Sequence, residues 1–397
     1  MLLWKRNLLA CWIGSFVTVA GMSMVVPFLP LYIEQLGIHK ITEIEQWSGV
    51  TFGAAYVFAA IMSPVWGKLA DKHGRKLMLL RASFGMAIVL TLTGFAQNVY
   101  QLLALRLLVG LISGYLAAAI TLVAGQTPKE HSGWALGTLS TGSVSGSLLG
   151  PLIGGWLADI IGLRHVFYVT GFFMFLCFLT TSFLVHEDFV PTGYAKLTNR
   201  QVWQMISNPK LLIAMFVTTF MVQMANFSIE PIITVYVKQL LPDLSHVALV
   251  SGVVISASGI STVLAASHIG RISDRVGPRK ILLTCLILAG LAVIPQAFVR
   301  TPWQLTALRF VMGIAVAGLL PSINSLIKRN VPNAVSGRVY GFNQSSQYLG
   351  TVIGPTLGGQ IAAYWGIRYV FFATSILMFL NAVWVCLTKD TQSKKSV

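Results

Sequence analysis

The sequence predicts an all-α polytopic membrane protein with twelve transmembrane helices in two repeated halves. Three observations predict it. Of 397 residues, 55% are hydrophobic and 10% charged, and the mean hydropathy is +0.74, whereas soluble domains carry about 25% charged residues. Apolar stretches long enough to cross a hydrocarbon core of roughly 30 Å recur over the whole chain. The chain also repeats itself about 204 residues apart, Gly150-Pro151 returning as Gly354-Pro355.

The spans fall at about 7–36, 46–66, 77–97, 101–124, 135–158, 164–186, 211–238, 247–269, 281–299, 303–327, 337–363 and 367–387. Helices are the candidates at this length, because transmembrane strands take about 10 residues and alternate polar with apolar. The first span follows Trp4-Lys5-Arg6; its apolar run is too long for a signal peptide, so it is expected to be retained. Trp4, Trp47, Trp66, Trp303 and Trp365 stand at span ends, as interfacial anchors do. Residues 187–210 mix charges with turn formers and join the halves 1–186 and 211–397, with a short interfacial helix expected around 199–207.

The repeat extends to motifs. Gly67-Lys68-Leu69-Ala70-Asp71-Lys72-His73-Gly74-Arg75-Lys76 returns as Gly270-Arg271-Ile272-Ser273-Asp274-Arg275-Val276-Gly277-Pro278-Arg279-Lys280, and Arg106 returns as Arg309. Two homologous membrane halves in one chain are a usual way to build an alternating-access carrier, with its site where they meet.

Net charge of +16 invites a nucleic-acid reading that the positions refuse. Assigned to alternate loops, 21 basic residues fall on one side and 5 on the other, and Arg106 and Arg309 lie inside spans. The rich side holds both termini, and the positive-inside rule makes it cytoplasmic. Cys11, Cys177, Cys285 and Cys386 lie singly inside spans, without metal-ligand or disulfide spacing. No phosphate-binding Gly-x-x-x-x-Gly-Lys-Ser/Thr run occurs, and no nucleophile–base pair stands out, so neither an ATP-driven chain nor an enzyme is expected.

Several residues are chemical candidates. In the 67–76 segment the two glycines Gly67 and Gly74 are expected to form a tight cytoplasmic turn, with Asp71 among Lys72, Arg75 and Lys76. An acid there can hold basic side chains or a helix amino end in one conformation and release them in another. Gly67, Asp71, Gly74, Arg75 and the copy at Asp274 are therefore gate candidates. Gly142, Gly146, Gly150-Pro151 and Gly154-Gly155 put small residues on one helical face, copied at Gly350, Gly354-Pro355 and Gly358-Gly359. Such a stripe brings two backbones together, and its proline permits a bend, so Gly150, Pro151, Gly154, Gly354 and Pro355 are gate candidates as well. Arg106 and Arg309 lie about five residues, roughly 8 Å, inside their outer ends, and buried cations mark transport paths or paired interior sites. Glu230 is the acid placed inside a span, sharing a polar face with Gln223 and Asn226. Burial favours a neutral carboxyl and a nearby arginine a charged one, so Glu230 can load and unload a proton, or form a structural pair with Arg106 or Arg309. Met24, Phe28, Tyr32 and Phe227 offer adaptable apolar surface, while Asn343 and Gln347 offer amides to a cavity.

With these motifs in hand, the chain resembles the twelve-span drug:proton antiporters of the major facilitator superfamily. Gly67-x-x-x-Asp71-x-x-Gly74-Arg75-Lys76 looks like motif A of that family, the Arg106/Gly110 segment like motif B, and Gly146-x-x-x-Gly150-Pro151-x-x-Gly154-Gly155 like the antiporter motif C. Pro27-Phe28-Leu29-Pro30-Leu31-Tyr32 and Ser132-Gly133-Trp134-Ala135-Leu136-Gly137 are similar to the MdtG-type bacterial multidrug resistance proteins. The resemblance implies two pseudo-symmetric six-helix bundles, cytoplasmic termini in a bacterial inner membrane, and a cavity lined mainly by helices 1, 4, 7 and 10. It implies proton-driven export of amphiphilic toxic compounds; Glu230 matches no acid shared by MdtG-type sequences, so its place in the coupling, with Asp71, Arg106 and Arg309, rests on the residues themselves. The acid that some relatives place in the first helix is missing here. Expected partners are small amphiphiles, protons and the bilayer, with a monomer as working unit and neither nucleic acid nor cofactor. Export of one metabolite, such as a sugar, and a receptor that has lost transport are the alternatives.

Overall fold

A computed structural model describes residues 3–128, 131–187, 203, 205–206, 208–241, 246–331 and 336–388. Among them there is no strand. Twelve helical segments follow in order: α1 (Leu3–Gln35), α2 (Ile41–His73), α3 (Arg75–Thr93), α4 (Val99–Gln126), α5 (Ser132–Ile161), α6 (Leu163–Leu184), α7 (Pro209–Leu240), α8 (Val247–Val276), α9 (Pro278–Phe298), α10 (Pro302–Lys328), α11 (Ser336–Trp365) and α12 (Ile367–Leu387). Ten are long and apolar enough to cross a membrane. The other two, α2 and α11, have the length at 33 and 30 residues. The helix expected around 199–207 falls largely outside the described residues.

Four spans are interrupted partway, and they are the first and fourth of each half. In α1 a 3-10 turn covers Val26–Phe28, and in α7 another covers Glu230–Ile232. Pro27 and Pro231 sit inside these turns; each removes an N–H and crowds the preceding turn of helix. The break in α4 is at Ser113-Gly114, where Gly114 has φ 124°. In α10 the break is at Ala317-Gly318. Irregular backbone at membrane depth persists only inside protein or along a cavity. By contrast, Pro151 and Pro355 lie within α5 and α11 without ending them.

The turn expected over 67–76 is corrected by the structure. Helix α2 runs on to His73, and α8 runs on to Val276, so Gly67 and Gly270 are helical residues rather than turn residues. Nothing breaks these helices until Gly74 (φ 91°) and Gly277 (φ 103°), where the chain reverses in the left-handed region. Alanine at Gly74 or Gly277 should therefore cost about 1–2 kcal/mol each. Alanine at Gly67 or Gly270, where nothing lies within 4 Å of an added methyl, should be neutral or slightly stabilising. Thermal unfolding of the four purified variants checks this contrast.

The glycine stripes set the closest helix contacts. An added methyl at Gly142 or Gly146 would press on the carbonyl oxygens of Trp12 or Phe16, and at Gly154 on that of Met24. Thus α5 lies backbone to backbone along α1. In the second half, methyls at Gly350, Gly354 and Gly358 would strike the carbonyls of Phe220, Met224 and Ser228, so α11 lies along α7 in the same way. The chain divides into two compact units, Met1–Gly193 with Ile233–Ser256, and Tyr194–Ile232 with Ala257–Val397. Division by packing therefore differs from division by repeat at Ile233–Ser256. In the first unit, Gly155 closes on the Ala248 carbonyl and Gly252 on that of Pro151, while the Ser256 hydroxyl donates to the Leu148 carbonyl at 2.8 Å.

Candidate functional site

The interrupted helix α7 builds the site in the second unit. Asn208 caps its start by accepting from the Leu211 N–H at 3.2 Å, and Pro209 occupies the first turn. Val222, Ala225 and Ile229 turn inward and are buried. Gln223, Asn226, Phe227 and Glu230, at helical spacing on the other side, are half-buried. This face carries a carboxyl and two amides at the point where the helix breaks. The Asn226 Oδ1 is buried and accepts no hydrogen bond, a condition costing about 1–3 kcal/mol unless water or a ligand meets it.

Arg309 on α10 is the charged group that faces Glu230. It is buried, at 3% exposure. Its Nε and Nη2 have no hydrogen-bond partner, and its Nη1 reaches only the Met312 sulfur at 4.0 Å. The described ion pairs are Lys40–Glu43, Lys238–Glu34 and His246–Asp159; Glu230 and Arg309 are not among them. A carboxyl and a guanidinium face each other without direct contact in a low-dielectric setting, where their interaction is strong. The charge state of Glu230 thus decides whether Arg309 has a counter-ion.

In the first unit Arg106 is equally buried, at 5% exposure, but meets phenols instead of a carboxylate. Tyr56 and Tyr32 are the titratable groups near it, and it lines a small cavity with Met22, Val26 and Phe52. Val26 stands where the repeat would place the copy of Glu230. Arginine is thus present in both halves and its acid in one.

The other cavity candidates separate. Phe28 and Tyr32 are fully buried and pack on Phe167 of α6, with ring centroids 5.5 and 5.0 Å away. The Tyr32 hydroxyl donates to the Thr93 carbonyl at 2.7 Å. Met24 is buried too, its sulfur 3.9 Å from the Thr170 hydroxyl. All three fill space between α1 and α6. Asn343 of α11 is buried and accepts from the Thr219 hydroxyl of α7 at 2.8 Å. Gln347 is half-buried and accepts from Gln344 at 3.3 Å. Of the gate candidates, Gly150, Pro151, Gly154, Gly354 and Pro355 lie buried at helix contacts, and Arg75 is half-buried with partners of its own. The side chains of Asp71 and Asp274 lie outside those described.

The Major Facilitator Superfamily model matches residues 11–250 and again 215–397. The chain belongs to the major facilitator superfamily. Multidrug resistance protein MdtG of Salmonella dublin is 48% identical over 382 residues, 96% of this chain and 95% of the relative. MdtG of Salmonella typhimurium matches with the same identity and coverage. Among solved structures, a bacterial homologue of the human lysosomal transporter Spinster, in an inward-facing and unoccupied conformation, superposes with a TM-score of 0.80 at 16% identity, covering 98% of this chain and 97% of that one. The human organic anion transporter MFSD10 gives 0.71 at 17% identity, covering 96% and 99%. At these identities the likeness concerns the fold: twelve helices in the two pseudo-symmetric bundles of the superfamily.

Within this superfamily fold, several polar residues carry contacts that sequence reasoning missed. Asn7 is buried at 1% exposure and ties α1 to the end of α4 and to the chain just beyond α6: its Nδ2 donates to Gln126 at 2.5 Å and to the His186 carbonyl at 2.7 Å, and its Oδ1 accepts from the His186 N–H at 3.0 Å. Its one sequence signal was an amide just after Trp4-Lys5-Arg6 at the start of an apolar run. The cations of the repeated motif serve helix ends, whose last carbonyls lack partners. Lys76 Nζ donates to the Ser182 carbonyl of α6 at 3.1 Å, and its backbone N–H to Glu187 at 2.6 Å. In the other copy Arg279 donates to the carbonyls of Val385 and Cys386 at 3.1 Å and to that of Thr388. Arg81 stacks 3.5 Å from the Trp66 ring and donates to the Ser113 carbonyl at 2.9 Å, at the break in α4.

Proposed function

We propose that this chain exports amphiphilic toxic compounds in exchange for protons, by alternating access in a bacterial cytoplasmic membrane. Both termini face the cytoplasm, 1–186 and 211–397 are the repeat-related halves joined by 187–210, and one chain is the working unit. The observation that carries this is Glu230 on the half-open face of α7, opposite Arg309 and out of ion-pair contact with it. A proton on Glu230 removes the counter-ion of Arg309, and its departure restores it, so loading and unloading alter the charge of the polar face formed with Gln223 and Asn226. A substrate cation can occupy that face only when the carboxyl is free, which makes proton and substrate alternate. The Phe227 ring and the methionines of α7 supply apolar surface that adapts to varied shapes. Relatives named for multidrug resistance, 48% identical over nearly the full length, support this reading. The motif copies around Asp71 and Asp274, with the left-handed turns at Gly74 and Gly277, are assigned to gating on the cytoplasmic side.

Everted vesicles containing the protein test it. Respiration acidifies their interior, and a pH-sensitive dye follows protons while drugs, lipophilic dyes and sugars are added in turn. Release of protons on adding a lipophilic cation, with none on adding a sugar, is expected. Release with a sugar alone would replace the proposal with export of one metabolite, and no release with folded protein would overturn coupling.

A further inference from the structure

Glu34 and Lys238 meet at the ends of α1 and α7 that the charge distribution places outside. Lys238 Nζ donates to both carboxylate oxygens, at 2.6 and 2.9 Å. The two residues are 204 apart, the offset that relates Pro27 to Pro231, Tyr32 to Tyr236 and Gln35 to Gln239. Each is therefore the repeat copy of the other. A residue touches its own copy only where the operation relating the repeats brings the two side chains to one place. Had the copies stayed alike, equal charges would repel there; this chain has opposite ones.

The surroundings suit a contact that opens. Both side chains are about a third exposed, at 36% for Glu34 and 33% for Lys238, and both line a cavity of about 270 Å³ walled by Leu31, Ile41, Ile44 and Val235. Solvent can take over either charge when they separate, so parting them carries no buried-charge penalty. The neighbouring tie is neutral and buried: the Thr234 hydroxyl donates to the Pro27 carbonyl at 2.7 Å. Between α5 and the start of α8, Asp159 accepts from the Leu249 N–H at 3.1 Å and lies 3.8 Å from His246, and Ser256 donates to the Leu148 carbonyl at 2.8 Å.

We infer that Glu34 and Lys238 form a charged latch, made when the outer ends of α1 and α7 are together and broken when they part, so that the pair sets how often the outer side opens. The inference rests on the alternating-access reading above. Its particular content is that attraction matters and charge order does not, because the positions are equivalent.

Access from outside tests it. A Cys386→Ser background carries Val26→Cys, a buried position in the turn of α1. A membrane-impermeant maleimide is applied to right-side-out vesicles without substrate or gradient, and labelling is read peptide by peptide. Glu34→Gln and Lys238→Gln should each speed labelling at position 26 roughly five-fold, the upper end for an exposed pair. Glu34→Lys and Lys238→Glu should speed it further, and the double exchange should return it to the starting rate. Unchanged labelling in both neutral variants, or a double exchange no slower than the single reversals, would overturn the latch. Buried Cys11, Cys177 and Cys285 stay unlabelled while a variant is folded; should a reversal fail this check, the neutral variants carry the test. Loss of proton coupling in a Glu230 variant leaves this measurement untouched, so the two proposals fail separately.

Discussion

Glu230→Gln abolishes substrate-triggered proton release in everted vesicles, by roughly 100-fold or more, the lower range for removing a positioned proton-transferring group. The amide keeps the shape of the carboxyl and cannot exchange a proton. Exchange of labelled for unlabelled substrate across the membrane should persist, because it needs binding and reorientation without net proton movement. That pairing separates a coupling residue from a structural one, whose loss would lower both. Arg309→Gln should weaken coupling without abolishing it, since the carboxyl remains and loses the charged group that faces it. Arg106→Gln should do less to coupling, because its neighbours are tyrosines. Proton release that survives in Glu230→Gln would move the proton to another group and leave the exporter standing.

Valine at Gly154 or Gly358 is expected to damage the protein more than any other single glycine replacement considered. Added carbon at these sites overlaps the main-chain oxygens of Met24 and Ser228, and a carbonyl inside a helix cannot swing aside as a side-chain end can. Overpacking of this kind costs about 1–3 kcal/mol, and two helices must separate along their length to relieve it. The consequence for function is local: Met24 precedes the break of α1, and Ser228 lies two residues before Glu230. Both variants should lose thermal stability and transport together, while Gly67→Ala keeps its stability. Fluorescence-detected melting of detergent-solubilised protein, run beside the vesicle assay, reads the two effects. Full transport in Gly358→Val would mean that α7 and α11 can shift apart without moving Glu230.

How much was legible in the chain differs by scale. The twelve spans follow from apolar run length, because water and hydrocarbon sort segments by composition alone, and all twelve lie within a few residues of the helices found, apart from the extensions of α2 to His73 and α8 to Val276. The tight contacts were written in the glycine stripes, but the breaks were not: Pro27 and Pro231 sit in breaks of α1 and α7, whereas Pro151 and Pro355 leave α5 and α11 continuous. Residue partners were another matter. That Arg309 faces Glu230 while Arg106 faces tyrosines, or that Phe28 and Tyr32 fill the space against Phe167, depends on the rotation of each helix about its axis. One residue turns a helix face by about 100°, and an apolar sequence leaves that angle open until neighbours pack. The pairing of Glu34 with Lys238 lies between these cases: the equal offset was visible in the sequence, but only packing brings the two copies into contact. Composition and repetition thus determined the spans and the candidate charges; the rotation and packing of the helices, fixed by side-chain volume at the ångström scale, decided where the helices break and which charge meets which.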